Sequence, residues 1–310
     1  MNIIFITPVY NDWESVKILS KDLKEISDVN SWNSHLVIVN DCSSKQMNYE
    51  KDSLSLKSDV LNLYSNQGNQ KCITIGLSFV YDNIKEYDYV IILDADGEDK
   101  PSDIIKLIDS AKNNNDDKII FAKREKRNES KTYIFFYTLY KILFYLLTGK
   151  TINIGHFSCV SKKLTSKVLS VDGIWVHYCG ALIKSKLSYD TVSCDKGQRY
   201  SGKTNQNKKM LLFHALASMI VFQDIIILKA LGASLMGIVF TTISFIIIFV
   251  AKIFAIEIFA LEFNANTMII LAIVFLIFSQ IFITSLFYLI KKESKMSLLE
   301  KQIYKKFITN

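Results

Sequence analysis

Two apolar runs near the end of the chain, LGASLMGIVFTTISFIIIFVA at 231–251 and TMIILAIVFLIFSQIFITSLFYLI at 267–290, contain no charged residue. Each is long enough to cross a hydrocarbon layer of about 30 Å as a helix. Buried inside a soluble protein, such helices would need protein on every side. What precedes them is roughly 200 residues of mixed composition, enough for one globular core. The chain is therefore expected to fold as one soluble domain followed by two transmembrane helices.

The charges around these runs set an orientation. Lys203, Lys208, Lys209 and Lys229 precede the first run, and Lys291, Lys292, Lys295, Lys301, Lys305 and Lys306 follow the second. The connecting loop carries Glu257 and Glu262, with only Lys252 at its edge. The bias of Lys and Arg toward cytoplasmic loops then places both ends, and the whole N-terminal domain, in the cytoplasm. The expected division is a cytosolic domain at 1–204, a juxtamembrane interfacial helix at 205–230, spans at 231–251 and 267–290, a short non-cytoplasmic loop at 252–266 and a basic cytoplasmic tail at 291–310. Met1-Asn2 runs directly into IIFIT, without the pattern of a signal peptide. Five scattered cysteines with no Cys-x-x-Cys pair read as buried free thiols of a reducing compartment.

An aromatic stretch, YIFFYTLYKILFYLL at 133–147, is short for a span and contains Lys141. It reads equally as a core helix or as one facing a membrane. The loop before it, KREKRNESK, carries Arg124 and Arg127 and would attract anionic head groups or phosphate beside a bilayer. The formal charge of +7 is explained by such membrane-proximal clusters, and no nucleic-acid partner is needed.

Within 1–204, strand-like runs at 3–7, 35–40, 60–64, 89–93 and 118–122 alternate with helical stretches at 12–27, 70–81 and 101–113. This order predicts an α/β domain with a mainly parallel sheet, which binds ligands at the carboxyl ends of its strands. Those ends read Pro8-Val9-Tyr10-Asn11-Asp12, Asn40-Asp41-Cys42, Asn66-Gln67-Gly68 and Asp94-Ala95-Asp96. Neither a Gly-x-Gly-x-x-Gly fingerprint nor a P-loop lies near a strand end, which disfavours two common nucleotide folds. Two carboxylates on one turn repel unless a cation joins them. Asp94 and Asp96 thus read as a hard-oxygen pair for Mg²⁺ or Mn²⁺, an ion that would also hold a diphosphate. His35, His177 and His214 have no metal-site spacing and read as structural, and Trp13, Trp32 and Trp175 as packing residues.

The segments TPVYND (7–12), VNDCSS (39–44), NQGNQKCITIGL (66–77) and DADGEDKPSDI (94–104) resemble, in order and spacing, the motifs of family 2 glycosyltransferases with a GT-A fold, a Rossmann-like, mainly parallel sheet. With two C-terminal spans, the chain resembles the polyprenyl-phosphate branch of that family, relatives of dolichol-phosphate mannose synthase. The resemblance implies that Pro8, Tyr10 and Asp12 line a nucleotide pocket, that Asp41 contacts base or ribose, with Asn66 and Gly68 beside it, and that Asp94 and Asp96 serve the metal and diphosphate. The family pattern R-x-x-G-x-S/T is matched by Arg199, Gly202 and Thr204, with Lys203 between; the loop would close over donor and lipid phosphate. It further implies an inverting transfer from a nucleotide sugar, UDP-linked rather than GDP-linked, to a polyprenyl (undecaprenyl) phosphate, with Asp96 in a catalytic role, at the cytoplasmic face of a bacterial inner membrane. Relatives in this branch can assemble as tetramers.

One departure stands out. Where the branch carries a Gly-Asp-Phe-Arg-like motif, this chain reads Gly155-His156-Phe157-Ser158. His156 takes the place of the proposed base, and three roles are open for it: base, phosphate contact or packing residue. Two other functions remain open beside the main one: transfer to a lipid-linked saccharide or surface glycan precursor, and a non-catalytic membrane scaffold. A processive synthase would want a Gln-x-x-Arg-Trp motif, which Gln198-Arg199-Tyr200 does not supply.

Overall fold

The computed structural model describes residues 1–50, 53–124, 131–202, 208–253, 265–293 and 303–309. Strands and helices alternate as the apolar runs require. β1 (Asn2–Val9), α1 (Trp13–Val29), β2 (Asn33–Asn40), β3 (Ser58–Asn62), α2 (Asn69–Asn83) and β4 (Tyr89–Ile92) come first. They are followed by α3 (Ile104–Asn113), β5 (Ile119–Arg124), α4 (Lys131–Thr148), β6 (Ser158–Ser161), α5 (Lys162–Leu169), α6 (Tyr178–Ser185) and β7 (Tyr189–Cys194). One seven-stranded sheet results, in the order β3-β2-β1-β4-β6-β5-β7. All its pairings are parallel except those of β6, which runs antiparallel between β4 and β5. The sequence pattern does not reveal β6, β7 or the short helices around them.

Alternation along β1 divides the core. Ile3 and Phe5 join the cluster built with Val16, Leu19 and Leu23 of α1 and Leu107, Ile108 and Ala111 of α3. Ile4 and Ile6 are buried too but lie outside that cluster, and Ile6 lies against α2. Gly76 of α2 permits this packing: a Cβ there would lie 2.6 Å from Ile6 Cγ2 and 3.2 Å from Val39 Cγ2.

The third strand starts two residues earlier than the apolar run suggested. Its continuation is taken up by the other end of the chain: Leu63 bridges to Ile308, Tyr64 N–H donates to Phe307 O at 3.0 Å, and Thr309 N–H donates to Asn62 O at 2.8 Å. Tyr304 is buried, edge-on to Phe79 at 5.5 Å, and Trp175 stacks on Phe307 at 5.8 Å. The described end of the expected basic tail thus covers the open edge of β3, protecting it from pairing elsewhere. Four cysteines are buried, but Cys42 is exposed: it sits past the end of β2 at φ +57°, outside the core.

The chain divides into two compact units: Met1–Tyr145 with Lys150–Val221 and Leu299–Asn310, and Leu146–Gly149 with Phe222–Leu298. In the first unit, α4 is a surface helix: Phe144 is fully buried, while Phe135, Phe136, Leu139, Ile142 and Leu143 are exposed. Tyr140 hydrogen-bonds Ser218 of α7 (Lys208–Ile220) at 2.7 Å. α7 likewise exposes Leu212, Phe213 and Leu216. The single juxtamembrane helix expected at 205–230 is interrupted at Val221 and Phe222 by a turn. Its last part belongs to α8 (Gln223–Ile253), which runs unbroken into the first apolar run.

The second unit pairs α8 with α9 (Ala265–Glu293). Gly237 lets them approach, since a Cβ there would lie 2.5 Å from the ring of Phe278. Among the described residues, two segments, Gln223–Ala251 and Asn266–Tyr288, are long and apolar enough to cross a membrane. Only 11% and 6% of their most apolar stretches is buried within the chain, so neither is a core helix.

Gly76→Ala is expected to destabilise the first unit by about 1–3 kcal/mol, because the added methyl meets a branched side chain in a filled core. Thermal or denaturant unfolding of the full chain in detergent measures this.

Candidate active site

The site is built where β1, β2, β3 and β4 end. Asn11 joins the first two ends: its N–H donates to Ser43 Oγ at 2.9 Å, and its Oδ1 accepts from Lys45 N–H at 2.9 Å and Ser44 Oγ at 3.2 Å. Asp41 joins the second and third. It is buried, and its two carboxylate oxygens accept from the backbone N–H groups of Gln67 at 2.5 Å and Gly68 at 2.9 Å. Asn66 donates to the Asp41 carbonyl at 3.3 Å. Asp41 therefore shapes the loop, and both its oxygens are engaged within the chain. Gly68 precedes α2 at φ +80°, a backbone conformation natural to glycine. Tyr10 is exposed at the rim, and Pro8 half-buried behind it.

The acidic turn after β4 splits its carboxylates into two groups. Asp94 faces inward: His156 Nε2 lies 2.9 Å from its Oδ1, and Asn69 Nδ2 donates to the same oxygen at 3.0 Å. Asp99, five residues further on, is buried beside it. It accepts Asp94 N–H and Arg124 Nη2, each at 3.0 Å, and its Oδ2 is 3.9 Å from His156 Nε2. Asp96 faces another way. Its Oδ1 accepts Glu98 N–H at 2.9 Å and its Oδ2 accepts Arg199 Nη1 at 2.5 Å. The other Arg199 nitrogen, Nη2, donates to Asp12 Oδ2 at 3.0 Å.

Arg199 reaches this position because residues 197–200 are strapped over the turn. Gly197 N–H donates to Glu98 O and Tyr200 N–H to Asp96 O, both at 2.8 Å, while Tyr200 Oη donates to Asp22 at 2.5 Å. A Cβ on Gly197 would lie 2.2 Å from the Gly97 carbonyl oxygen, and one on Gly97, at φ +84°, 2.8 Å from the Tyr200 ring. Only glycine at both positions permits so close an approach. Gly202 stands at φ +67°, while Arg127, Lys203 and Thr204 lie outside the described residues. Ser158, in the place of the family's arginine, is fully buried; it donates to His156 O at 2.8 Å and bonds Tyr178 Oη at 3.1 Å.

The electrostatics follow from this crowding. Burial would raise the Asp94 pKa, but the His156 charge prevails and holds it well below the usual carboxylate range. Burial and the Asp94 charge lift Asp96 to about 6, against the pull of Arg199. The same two causes raise Asp99. Burial would lower His156, but Asp94 and Asp99 lift it to about 9. Near neutral pH the two carboxylates thus favour the charged form of the His156 ring.

Ligand atoms of Asp94, Asp99 and His156 lie within 4.8 Å of one another. His156 Nε2 has no aligned hydrogen bond despite its closeness to Asp94, and Asn69 Oδ1 is buried without a partner among the described residues. Two carboxylate oxygens and an imidazole, with unsatisfied polar atoms around them, fit a divalent cation such as Mn²⁺. The set differs from the expected Asp94–Asp96 pair in drawing on Asp99 and His156, which no local spacing links to Asp94.

A β/α sheet with this acidic turn at its switch edge is the architecture of nucleotide-sugar transferases of the GT-A type. The family model for glycosyl transferase family 2 matches residues 4–169 of the 310, and the protein belongs to that family. It is a glycosyltransferase that uses a nucleotide sugar. The fold is shared with mannosyl-3-phosphoglycerate synthase from Rubrobacter xylanophilus (TM-score 0.52, 14% identity, 71% of this chain and 72% of that one). It is also shared with glucosyl-3-phosphoglycerate synthase from Mycobacterium tuberculosis, solved with Mn²⁺, UDP-glucose and phosphoglyceric acid (TM-score 0.51, 11% identity, 73% and 79%). No curated protein matches the chain by sequence.

Two outcomes are expected. Gly197→Ala displaces the strap and lowers turnover about a hundredfold, as misplacement near 1 Å does, with little change in melting temperature; steady-state kinetics and unfolding measure both. In metal-free protein, the stabilisation from His156 is complete below its unfolded pKa of 6.5 and lost as pH rises through about 9. The melting-temperature gap between the unaltered chain and His156→Asn therefore closes over that interval.

Proposed function

We propose that this protein is an inverting glycosyltransferase that moves a sugar from a UDP-linked donor to a polyprenyl phosphate at the cytoplasmic face of a bacterial inner membrane. The observation that carries the reading is the joining, in one unit, of the acidic site with two helices whose apolar side chains point outward. α4 and α7, tied by Tyr140 and Ser218, expose Phe135, Phe136, Leu139 and Ile142 on the one and Leu212, Phe213 and Leu216 on the other. Such faces suit the head-group boundary of a bilayer, where a lipid acceptor presents its phosphate. The return of residues 303–309 to the edge of β3 supports the orientation, since a chain that leaves this unit before two spans and rejoins it after them crosses an even number of times.

In this proposal the Asp41-held loop at Gln67 and Gly68 walls the donor pocket, and Asp12 and Asp96 position Arg199 at its mouth. Asp94, Asp99 and His156 would hold Mg²⁺ or Mn²⁺, whose charge supports departure of the nucleoside diphosphate. The acceptor phosphate is already ionised near neutral pH and needs no base to attack the anomeric carbon; the new C–O bond forms as the bond to the diphosphate breaks, with inversion. Positioning and charge neutralisation then carry most of the rate.

The test is mass spectrometry of lipid products formed by the purified full chain with a panel of nucleotide sugars, Mn²⁺ and undecaprenyl phosphate. A glycosyl-phosphoryl-undecaprenol from a UDP-sugar is expected, and Asp94→Asn lowers its formation by about a hundredfold or more. Product only on a soluble phosphorylated acceptor, or unchanged turnover in Asp94→Asn, contradicts the proposal.

A further inference from the structure

Two histidines whose spacing in the sequence marks them only as structural meet beside the site. His177 is buried and caps α6, its Nδ1 accepting Gly180 N–H at 3.0 Å. Its Nε2 lies 3.2 Å from Nδ1 of His214, with the rings edge to face at 4.7 Å. His214 is exposed on α7, the helix that precedes the first span. α7 is fixed here from two sides: Tyr140 of α4 bonds Ser218, and Lys184 of α6 donates to Val221 O at 2.7 Å.

A proton count assigns the tautomers. The Gly180 N–H needs a lone pair on His177 Nδ1, so neutral His177 carries its proton on Nε2. That proton is directed at His214, whose Nδ1 must then accept. His214 is left with its own proton on Nε2, at the far edge of the ring, where it donates to no described residue. Protonating His214 at Nδ1 would set N–H against N–H. Burial and then the neighbouring ring accordingly hold His177 down to about 3, and partial desolvation of its ring lowers His214 as well. The charge of His156 reaches both rings and that of Asp94 reaches His214, so the pair stands within electrostatic range of the acidic site.

We infer that His214 is an acceptor-binding residue, its Nε2–H donating to a phosphate oxygen of the acceptor, and that His177 is the positioning residue that fixes this N–H outward. The inference rests on the lipid-phosphate reading above. A neutral donor is well matched to this role, because it orients an attacking oxyanion while withdrawing less of its charge than an ammonium or guanidinium would. His214 lies on α7, the helix that precedes the first long apolar helix, where a bilayer-borne acceptor would present its phosphate.

The test uses the full chain with His214→Ala, His214→Gln and His177→Asn. Acceptor kinetics are measured with undecaprenyl phosphate and with a short-chain isoprenyl phosphate, and donor concentration is varied separately. Asn at 177 can still cap α6 but is too short to hold His214. His214→Ala and His177→Asn are expected to raise KM for both acceptors about tenfold or more, the loss of one hydrogen bond to a charged group, with donor KM unchanged in both and melting temperature unchanged in His214→Ala. His214→Gln, which keeps an N–H near the same place, recovers most of the loss. An unchanged acceptor KM in His214→Ala, or an effect confined to the donor or to the long-chain acceptor, overturns the inference. No lipid product from the unaltered chain overturns the acceptor reading and this inference with it; a lipid product with insensitive variants overturns this inference alone.

Discussion

The negative charge at the end of β4 organises this molecule. Asp94, Asp96, Glu98 and Asp99 follow a strand whose residues are all buried, and their mutual repulsion has to be answered by cations from elsewhere. Arg124 comes from the end of β5, His156 from the loop before β6, and Lys196 and Arg199 from the segment after β7. Each of these ion pairs joins segments far apart in sequence, so charge balance at one turn also fixes the far half of the sheet against the near half. The arrangement holds an imidazolium and a guanidinium where a metal–diphosphate would bring its own charges. Burial and the neighbouring Asp94 charge still lift Asp96 to about 6, against the pull of Arg199.

Much of this was legible in the sequence, and for physical reasons. Parallel strands buried on both faces must be apolar runs, and ligands must meet the polar residues at their ends, so the positions of Asp12, Asp41, Asn66 and Asp94 followed from pattern alone. β6 and β7 did not follow. Ser158–Ser161 reads SCVS and Tyr189–Cys194 reads YDTVSC, and neither has the apolar run or alternation that marks a strand; their neighbours in the sheet hold them. Asp99 was hidden for a similar reason. Nothing local distinguishes an exposed aspartate in an acidic turn from one buried against an arginine 25 residues later. The His177–His214 pair was invisible because only the docking of α7 on α6 brings the rings together.

The two long helices differ from the sheet in what they expose. They present Met236, Phe240, Phe287 and other large apolar side chains outward, a surface typical of interaction with lipid or protein. α4 and α7 likewise expose large apolar side chains on the catalytic unit, while Phe144 of α4 is fully buried. Closing the edge of β3 with residues 303–309 ties the chain that follows the second long helix back to the strand from which the Asn66–Gly68 loop departs. Sequence and sheet topology thus converge on a nucleotide-sugar transferase whose chain also carries two helices long and apolar enough to cross a membrane.

The central claim is that Asp94, Asp99 and His156 hold a divalent cation together with a nucleoside diphosphate. Electron paramagnetic resonance of Mn²⁺ titrated into the purified chain with and without UDP tests it most directly. The account predicts a protein-bound Mn²⁺ signal that strengthens with UDP and disappears in Asp94→Asn. A signal that forms equally well in Asp94→Asn, or no bound Mn²⁺ at any UDP concentration, would contradict it.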